Sequence, residues 1–309
     1  MGVIRALTDK LEISGYRVDT YDSLDAFEQR AKQLESFQQL RAVVSAGGDG
    51  TATAVASRIA STVPLWLCPL GTENLLARYL GMTADPDQAV ASISRLQTRS
   101  LDAGLANGRL FLIMVGIGFD AEVVRQVHTR RKGHIRRYQY WLPIARNSIF
   151  YSFPRLRIVA ESAIHNVKES KGLSAVALNA ADGRAIDSQE AAWVFLLNLP
   201  RYAAGLDIAP DACGEDGLID ICAFKQGGLL RGLYYFARLR LGIHSSMSDF
   251  SHQRASKFRV EAVLPDESQI SYQLDGDWGG YLPLDIESLP GRLLVVEPMS
   301  QKTSSARTL

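Results

Sequence analysis

Cysteines, long apolar runs and an excess of either charge are scarce in this sequence. Its 309 residues include three cysteines, Cys68, Cys213 and Cys222, without CxxC spacing. Such a count argues against a disulfide framework and a zinc site, and it favours a reducing, cytoplasmic location. The 34 basic and 33 acidic residues leave a net charge of +1. Overall charge therefore gives no reason to expect nucleic acid as a partner.

No segment has the length of a transmembrane helix. The most apolar runs, RLFLIMVGIGF and AAWVFLLNL, are shorter than the roughly 18 residues that a spanning helix needs. The N-terminus carries acids in a helical pattern and lacks the apolar core of a signal peptide. The sequence predicts no transmembrane segment, which leaves peripheral contact with a membrane open.

What the sequence does contain is a hydrophobic content of 47%, enough to bury the cores of two domains. Residues 1–100 alternate β-rich runs (YRVDTYD, RAVVSA, PLWLCPL) with helical stretches, which predicts a Rossmann-like parallel α/β domain. Residues 101–298 consist of strand-length pieces separated by Gly, Asp and Pro, which is typical of an antiparallel β-sandwich. Helices are predicted within it over residues 136–152 and 228–246, and residues 299–309 form a polar tail. A cleft between the two domains is the expected place for a site.

The motif GGDGT, Gly47–Thr51, lies between an apolar run and a helical pattern. Glycines at a strand exit permit close approach, and the N–H groups of such a loop suit phosphate oxygens. Asp49 suggests either Mg²⁺ or an orienting role, since a bare carboxylate would repel phosphate. Thr51 could bond a phosphate or cap the helix. A plain tight turn remains the alternative.

A second glycine turn follows one unit later, with Gly71, Thr72 and Asn74 between the run PLWLCPL and a helical stretch. In a parallel sheet both turns open at the carboxyl edge of the strands, where such folds bind ligands. Two polar glycine turns at one edge predict a nucleotide site.

Further motifs extend this pattern: VGIGFDAEVV, NLPRYAAGLDIAPDACGEDGLIDIC and YQLDGDW. Together with GGDGT and PLGTEN, the set resembles the diacylglycerol kinase catalytic-domain family, which includes bacterial lipid kinases and sphingosine and ceramide kinases. The motifs keep the family's order from about Thr20 to Pro298. The resemblance implies an ATP-dependent kinase that phosphorylates a lipid hydroxyl at a membrane surface, with Mg²⁺.

The resemblance also implies which residues contact the nucleotide. The backbone of the GGDG loop would hold the phosphates, and threonines would add side-chain contacts. The implied set is Thr20, Gly47, Gly48, Asp49, Gly50, Thr51, Thr72 and Asn74.

The late motif LDGD is where the family places its catalytic base. The matching residue here is Asp277, where relatives have Glu, and Asp275 is the second candidate. Asp120 would join them around Mg²⁺ or hold their geometry. A hairpin turn at residues 275–277, and a cap by Asp120 on a helix starting at Ala121, are the alternatives.

Two more sites follow from the resemblance and from charge. Relatives hold Mg²⁺ at the place of Asp216, with the carbonyls of Cys213 and Leu218 as further ligands, although a plain turn is equally compatible. Membrane docking is predicted for the basic run within His128–Trp141, for which a solvated loop is the alternative. Its cations are Arg130, Arg131, Lys132, Arg136 and Arg137. A homodimer is compatible with the sequence.

The chain departs from the family pattern in three places. It shows no first strand with an NPxSG-type loop, so we expect a start further upstream. Leu75 stands where many relatives have Asp, and Asp277 is one methylene shorter than Glu. These departures keep two alternatives open: a catalytically impaired homologue that binds nucleotide or lipid, and a kinase with another acceptor, as in NAD kinase.

Overall fold

The computed structural model describes residues 2–129, 146–147, 151–160, 165–166, 189–202, 205–264 and 269–299. The chain forms two units. The first is Met1–Leu101 together with the chain from Arg292 onward, and the second is Asp102–Gly291.

The first unit is a mixed α/β structure around parallel strands. Its helices are α1 (Gly2–Ile13), α2 (Leu24–Ser36), α3 (Asp49–Ala56), α4 (Leu75–Leu80) and α5 (Pro86–Arg95). Its strands are β1 (Val43–Gly47), β2 (Pro64–Pro69) and the last part of β17 (Leu284–Val296). β2 lies in the middle, parallel to both neighbours. Leu65 and Trp66 are fully buried, as expected for a parallel strand covered on both faces.

Local sequence signals set the ends of these helices. The Ser23 hydroxyl accepts a hydrogen bond from the Ala26 N–H and begins α2. Asp85 caps α5 in the same way, and Pro86 occupies its first position, where no N–H is needed. Gly81, with φ +72°, ends α4 in the left-handed conformation that glycine adopts without strain.

The second unit is built mainly of antiparallel strands. Its strands, besides the first part of β17, are β3 (Thr98–Ala106), β4 (Arg109–Phe111), β5 (Met114–Ile117), β6 (Leu156–Ala160), β7 (His165–Asn166), β8 (Gln189–Ala191), β9 (Trp193–Leu197), β10 (Arg201–Tyr202), β11 (Leu206–Asp207), β12 (Ile219–Phe224), β13 (Phe250–Ala255), β14 (Lys257–Ala262), β15 (Ser271–Leu274) and β16 (Asp277–Tyr281). Its described helices are α6 (Phe119–Thr129) and α7 (Leu229–Arg240).

Two sheets face a common core in this unit. One has the order β16-β15-β5-β9-β12-β13-β7, and the other includes β17, β14, β6 and β8. The core draws fully buried side chains from both sheets, including Val115, Leu196 and Ile221 from the first and Ile158, Val260 and Leu284 from the second. This arrangement confirms the predicted α/β domain followed by an antiparallel β-sandwich.

The structure differs from the sequence predictions in two places. The run YRVDTYD, residues 16–22, is not a strand. Its side chains bond to helices instead, with Tyr16 Oη 3.2 Å from Ser94 Oγ and Asp19 accepting from Arg30. Residues 292–298, assigned from sequence to the β-rich domain, belong to the first unit, where Leu294 and Val295 pair with β2.

Several predictions concern residues outside the described ranges. Most of the helix predicted over residues 136–152, the docking cations between residues 130 and 137, and the tail after Met299 fall there. The helix predicted over 228–246 is confirmed over Leu229–Arg240 as α7, which ends six residues earlier than predicted. In the part of the chain that the structure describes, no helix combines the length and apolar character needed to span a membrane.

Candidate active site

The two glycine turns of the first unit lie side by side. β1 and β2 are parallel with Gly47 opposite Pro69, and the Leu70 N–H donates to the Gly47 carbonyl at 2.9 Å. A Cβ on Gly71 would lie 2.5 Å from the Gly48 Cα, closer than any non-bonded carbon contact. Glycine is therefore required for the two backbones to approach this closely.

Asp49 connects the first turn to the helix that follows the second. Its carboxylate oxygens accept hydrogen bonds from the N–H groups of Leu75 at 2.9 Å and Leu76 at 3.1 Å. Burial raises the pKa of Asp49, while these bonds oppose the shift. These contacts support the orienting role considered for Asp49. Because Leu75 takes part through its N–H, its apolar side chain leaves this contact intact.

Asn74 closes the second turn on itself. Its backbone is left-handed with φ +51°, a conformation that Asn tolerates. Its side chain accepts from the Gly71 N–H at 3.0 Å and donates to the Gly71 carbonyl at 2.8 Å. Thr72 is left exposed at the tip of the turn.

Thr51 and Thr20 occupy different settings. Gly48, not Thr51, is the N-cap of α3, so the capping alternative for Thr51 is wrong. The Thr51 side chain lies over Gly47, where an added Cβ would be 2.4 Å from its hydroxyl oxygen. Gly50 is exposed in the first turn of α3. Thr20 is exposed between α1 and α2, and no hydrogen bond among the described residues joins it to either glycine turn.

Asp120 is the centre of a polar network in the second unit. It lies in the first turn of α6, which begins at Phe119 rather than Ala121. Its carboxylate accepts hydrogen bonds from the Tyr202 hydroxyl and from Gln273 Nε2, the latter at 3.0 Å. Burial raises the pKa of Asp120, and both bonds oppose this. The capping alternative for Asp120 is wrong, because the carboxylate bonds to these side chains and not to helix N–H groups.

Asp275 has a structural role. Its carboxylate accepts hydrogen bonds from three successive backbone N–H groups, those of Leu112, Ile113 and Met114, at 2.8, 2.9 and 3.0 Å. These bonds hold the connection between β4 and β5, which splits the run RLFLIMVGIGF into two strands. A carboxylate with three backbone donors is poorly placed to act as a base.

Asp277 begins β16, and its side chain is 47% exposed. His128, at the end of α6, is an ionisable neighbour, and its Nδ1 lies 3.8 Å from Asp277 Oδ1. Gln273 links this turn to Asp120, because its Oε1 accepts from the Gly276 N–H at 2.7 Å while its Nε2 donates to Asp120. Of the three acids predicted to be catalytic, Asp277 is the one open to a substrate.

Sequence reasoning missed Gln273, Tyr202 and His128. A signal for Gln273 existed, since it is a polar residue inside the fully buried strand β15. Buried amides need partners, which points to a network. Nothing local to Tyr202 or His128 indicates their contacts with residues distant in the chain.

The predicted metal site at Asp216 has the geometry of a turn. Asp216 Oδ1 accepts from the Leu218 N–H at 3.0 Å, and Arg254 Nη1 lies 3.9 Å from Oδ2. Arg254 is therefore a charged partner of this carboxylate, and Cys213 is exposed. Across the described ranges, no group of three or more His, Cys, Asp or Glu side chains could hold a metal ion. The site predicted here, one carboxylate with the carbonyls of Cys213 and Leu218, is of a different kind and stays a prediction.

Comparison with known proteins agrees with this layout. The family model for the diacylglycerol kinase catalytic domain matches residues 2–106. The model for a YegS C-terminal NAD kinase beta sandwich-like domain matches residues 113–297. The chain belongs to the diacylglycerol kinase catalytic-domain family. Membership indicates a kinase, that is, a phosphotransferase.

Individual members of the family match along most of their length. A diacylglycerol kinase of Bacillus subtilis is 25% identical over 295 residues, covering 94% of this chain and 88% of that protein. One of Mycobacterium tuberculosis is 28% identical over 264 residues, covering 83% and 77%. A solved structure of a diacylglycerol kinase from Bacillus anthracis has a TM-score of 0.61 at 22% identity, covering 91% of this chain and 84% of that one. The structural likeness supports the shared fold.

Proposed function

We propose that the protein is an ATP-dependent lipid kinase that transfers the γ-phosphate of MgATP to the hydroxyl of diacylglycerol or a related lipid alcohol. The observation that carries this proposal is the contact between Gly48 and Gly71 at the carboxyl ends of two parallel strands. No side chain fits there, and the start of α3 is adjacent. Family membership supplies the reaction class.

Recognition of the nucleotide rests on backbone groups. The first N–H groups of a helix have no partner inside that helix, so the start of α3 around Gly48, Asp49 and Gly50 can donate to phosphate oxygens. The exposed Thr72 adds a hydroxyl from the second turn. Mg²⁺ bound together with the nucleotide would reduce the negative charge of the phosphates.

Asp277 is the proposed base. Its carboxylate takes the proton of the acceptor hydroxyl, the hydroxyl oxygen attacks the γ-phosphorus, and the bond to the bridging oxygen breaks to release ADP. Asp120 acts as a positioning residue, because Gln273 connects its carboxylate to the backbone of the turn that carries Asp277. Because the proposed acceptor is a lipid, we expect the protein to contact the membrane surface peripherally.

The test is phosphoryl transfer from labelled ATP to a panel of lipid alcohols, with NAD as a further acceptor. We expect a lipid to be phosphorylated and Asp277→Asn to lower kcat by about 10²- to 10⁴-fold, the usual contribution of a general base. Asp285→Asn is the matched control, since the Asp285 side chain is 57% exposed in the same unit.

Three results would contradict the proposal. Binding of ATP without transfer to any acceptor would identify an impaired homologue, and Leu75 already removes one acid found in many relatives. Transfer to NAD instead of lipid would identify the other kinase class. Equal rates for Asp277→Asn and Asp285→Asn would remove Asp277 from the reaction.

A further inference from the structure

Helix α7 carries large apolar side chains on the face that points away from the protein. Leu230 is 81% exposed, Leu233 59% and Phe236 54%, and Leu241 just beyond the helix is 69% exposed. Exposed apolar residues occur singly on most proteins, but a contiguous set marks an interaction site.

The inner face of α7 already packs against the rest of the protein. Tyr235 and Leu239, four residues apart, are its buried side chains. At about 100° per residue, Leu233 lies nearly opposite Tyr235 around the helix axis. An ordinary surface helix has polar residues on that outer side. A second apolar face indicates that α7 is covered by something apolar when the protein functions.

The charges around this face specify the partner. Residues 225–243 contain Lys225, Arg231, Arg238 and Arg240 but no Asp or Glu. The Arg238 guanidinium lies 5.9 Å from the centre of the Tyr234 ring, and Arg240 shares the outer side with Leu233. Asp249 contacts the helix from its buried side and pairs with Arg231 at 3.6 Å. The outer side therefore presents apolar side chains with Arg238, Arg240 and aromatic rings, which matches the boundary between anionic headgroups and acyl chains.

The helix is held firmly in this orientation. The Tyr235 hydroxyl donates to Asp249 Oδ2 at 2.6 Å, and the Tyr235 ring packs 4.7 Å from that of Phe224 in β12. A Cβ on Gly232 would lie 3.1 Å from the Trp193 ring, so the helix rests directly on β9. With 12 residues, α7 is too short to span a bilayer and suits a position in its surface plane.

We propose that α7 is a membrane-docking helix, whose outer face enters the surface of an anionic bilayer. Leu230, Leu233 and Phe236 insert below the headgroups, and Arg238 and Arg240 contact lipid phosphates. This inference rests on the proposed lipid kinase function only for its biological purpose. The binding itself is independent of catalysis.

The test is co-sedimentation with vesicles of phosphatidylcholine alone or mixed with phosphatidylglycerol, without ATP. We expect the wild type to bind the mixed vesicles. A triple variant, Leu230→Ser, Leu233→Ser and Phe236→Ser, should lose about 100-fold or more in partitioning. Arg240→Glu should lose about tenfold on mixed vesicles and little on phosphatidylcholine.

The control variant replaces exposed apolar residues of the first unit, Ile13→Ser with Phe37→Ser, and should bind as the wild type does. Unfolding curves should coincide for all variants, because the replaced side chains are exposed. Unchanged vesicle binding by the triple variant would overturn the proposal, as would a wild type that does not bind mixed vesicles.

Two further results distinguish membrane docking by α7 from dimerisation and from the proposed kinase function. A wild-type dimer that the triple variant dissolves, with vesicle binding unchanged, would assign the face to a second copy of the chain. Loss of vesicle binding in the triple variant, with no phosphoryl transfer to any lipid by the wild type, would retain the docking helix and refute the kinase. The triple variant should keep wild-type activity on a short-chain lipid dispersed as monomers.

Discussion

The candidate site of the first unit consists of backbone turns, whereas that of the second unit consists of side chains. In the first unit, Gly48 and Gly71 allow two backbone turns to touch, and Asp49 and Asn74 hold those turns in place. In the second unit, side chains from distant parts of the chain form the site, with Asp120 bonded to Tyr202 and Gln273. The first site depends on the close packing of two backbones, and the second depends on hydrogen bonds between side chains.

This difference determines what each site tolerates. A backbone site fails when a single carbon is added, whereas a side-chain network fails when one donor or acceptor is removed. In the second unit the same short turn also contains one acid that bonds to the backbone, Asp275, and one open to solvent, Asp277.

The largest expected effect separates these two aspartates. Asp275→Asn leaves an amide facing backbone N–H donors, so we expect the free energy of unfolding to fall by about 3 kcal/mol or more. Asp277→Asn should change it by less than about 0.5 kcal/mol, because its side chain is 47% exposed. Urea unfolding measures both. If both variants lost the same free energy of unfolding, the assignment of a structural role to Asp275 and not to Asp277 would be wrong.

A smaller effect is expected in the first unit. Gly71→Ala would place a methyl group 2.5 Å from the Gly48 Cα, and overpacking of this kind costs about 1–3 kcal/mol. Because the backbones must separate, binding of ATP measured by calorimetry should be lost as well. Gly2→Ala is the control, since a Cβ there meets nothing within 4 Å. Wild-type affinity for ATP in Gly71→Ala would exclude the paired turns as the nucleotide site.

The smallest effect tests whether a buried polar residue of the second unit titrates. His244 is 2% exposed, and its Nε2 lies 2.9 Å from the Ile208 carbonyl. Burial lowers the pKa of His244 below its ordinary value of 6.5, the hydrogen bond with the Ile208 carbonyl opposes this shift, and the positive charge of Arg238 adds to it.

The folded protein therefore binds fewer protons at His244 than the unfolded chain does, between the lowered pKa and 6.5. The free energy of unfolding should rise with pH through this window and then level off, with a contribution of at most about 1.36 kcal/mol per pH unit. His244→Gln should reduce that slope in urea unfolding measured at several pH values. An unchanged slope would show that His244 is not responsible.

Much of the fold follows from local pattern, and part of the candidate site does too. The pairing of the two glycine turns was predictable because parallel strands that neighbour each other end at one edge of a sheet. The run YRVDTYD has the composition of a strand, yet its side chains bond to helices. Local composition indicates what a segment can form, while the available partners decide what it does form.

The sequence alone determined the two-unit architecture and the positions of both glycine turns, because periodicity and glycine spacing are local properties, and the resemblance of its motifs indicated the family. Only the tertiary structure decided which acid of the late motif is open and which is structural. The donors to Asp275 lie more than 160 residues earlier in the chain. It also revealed the outward apolar face of α7, since exposure depends on what packs against a helix. Hydrogen-bond partners and burial are set by contacts between distant segments, which no local pattern encodes.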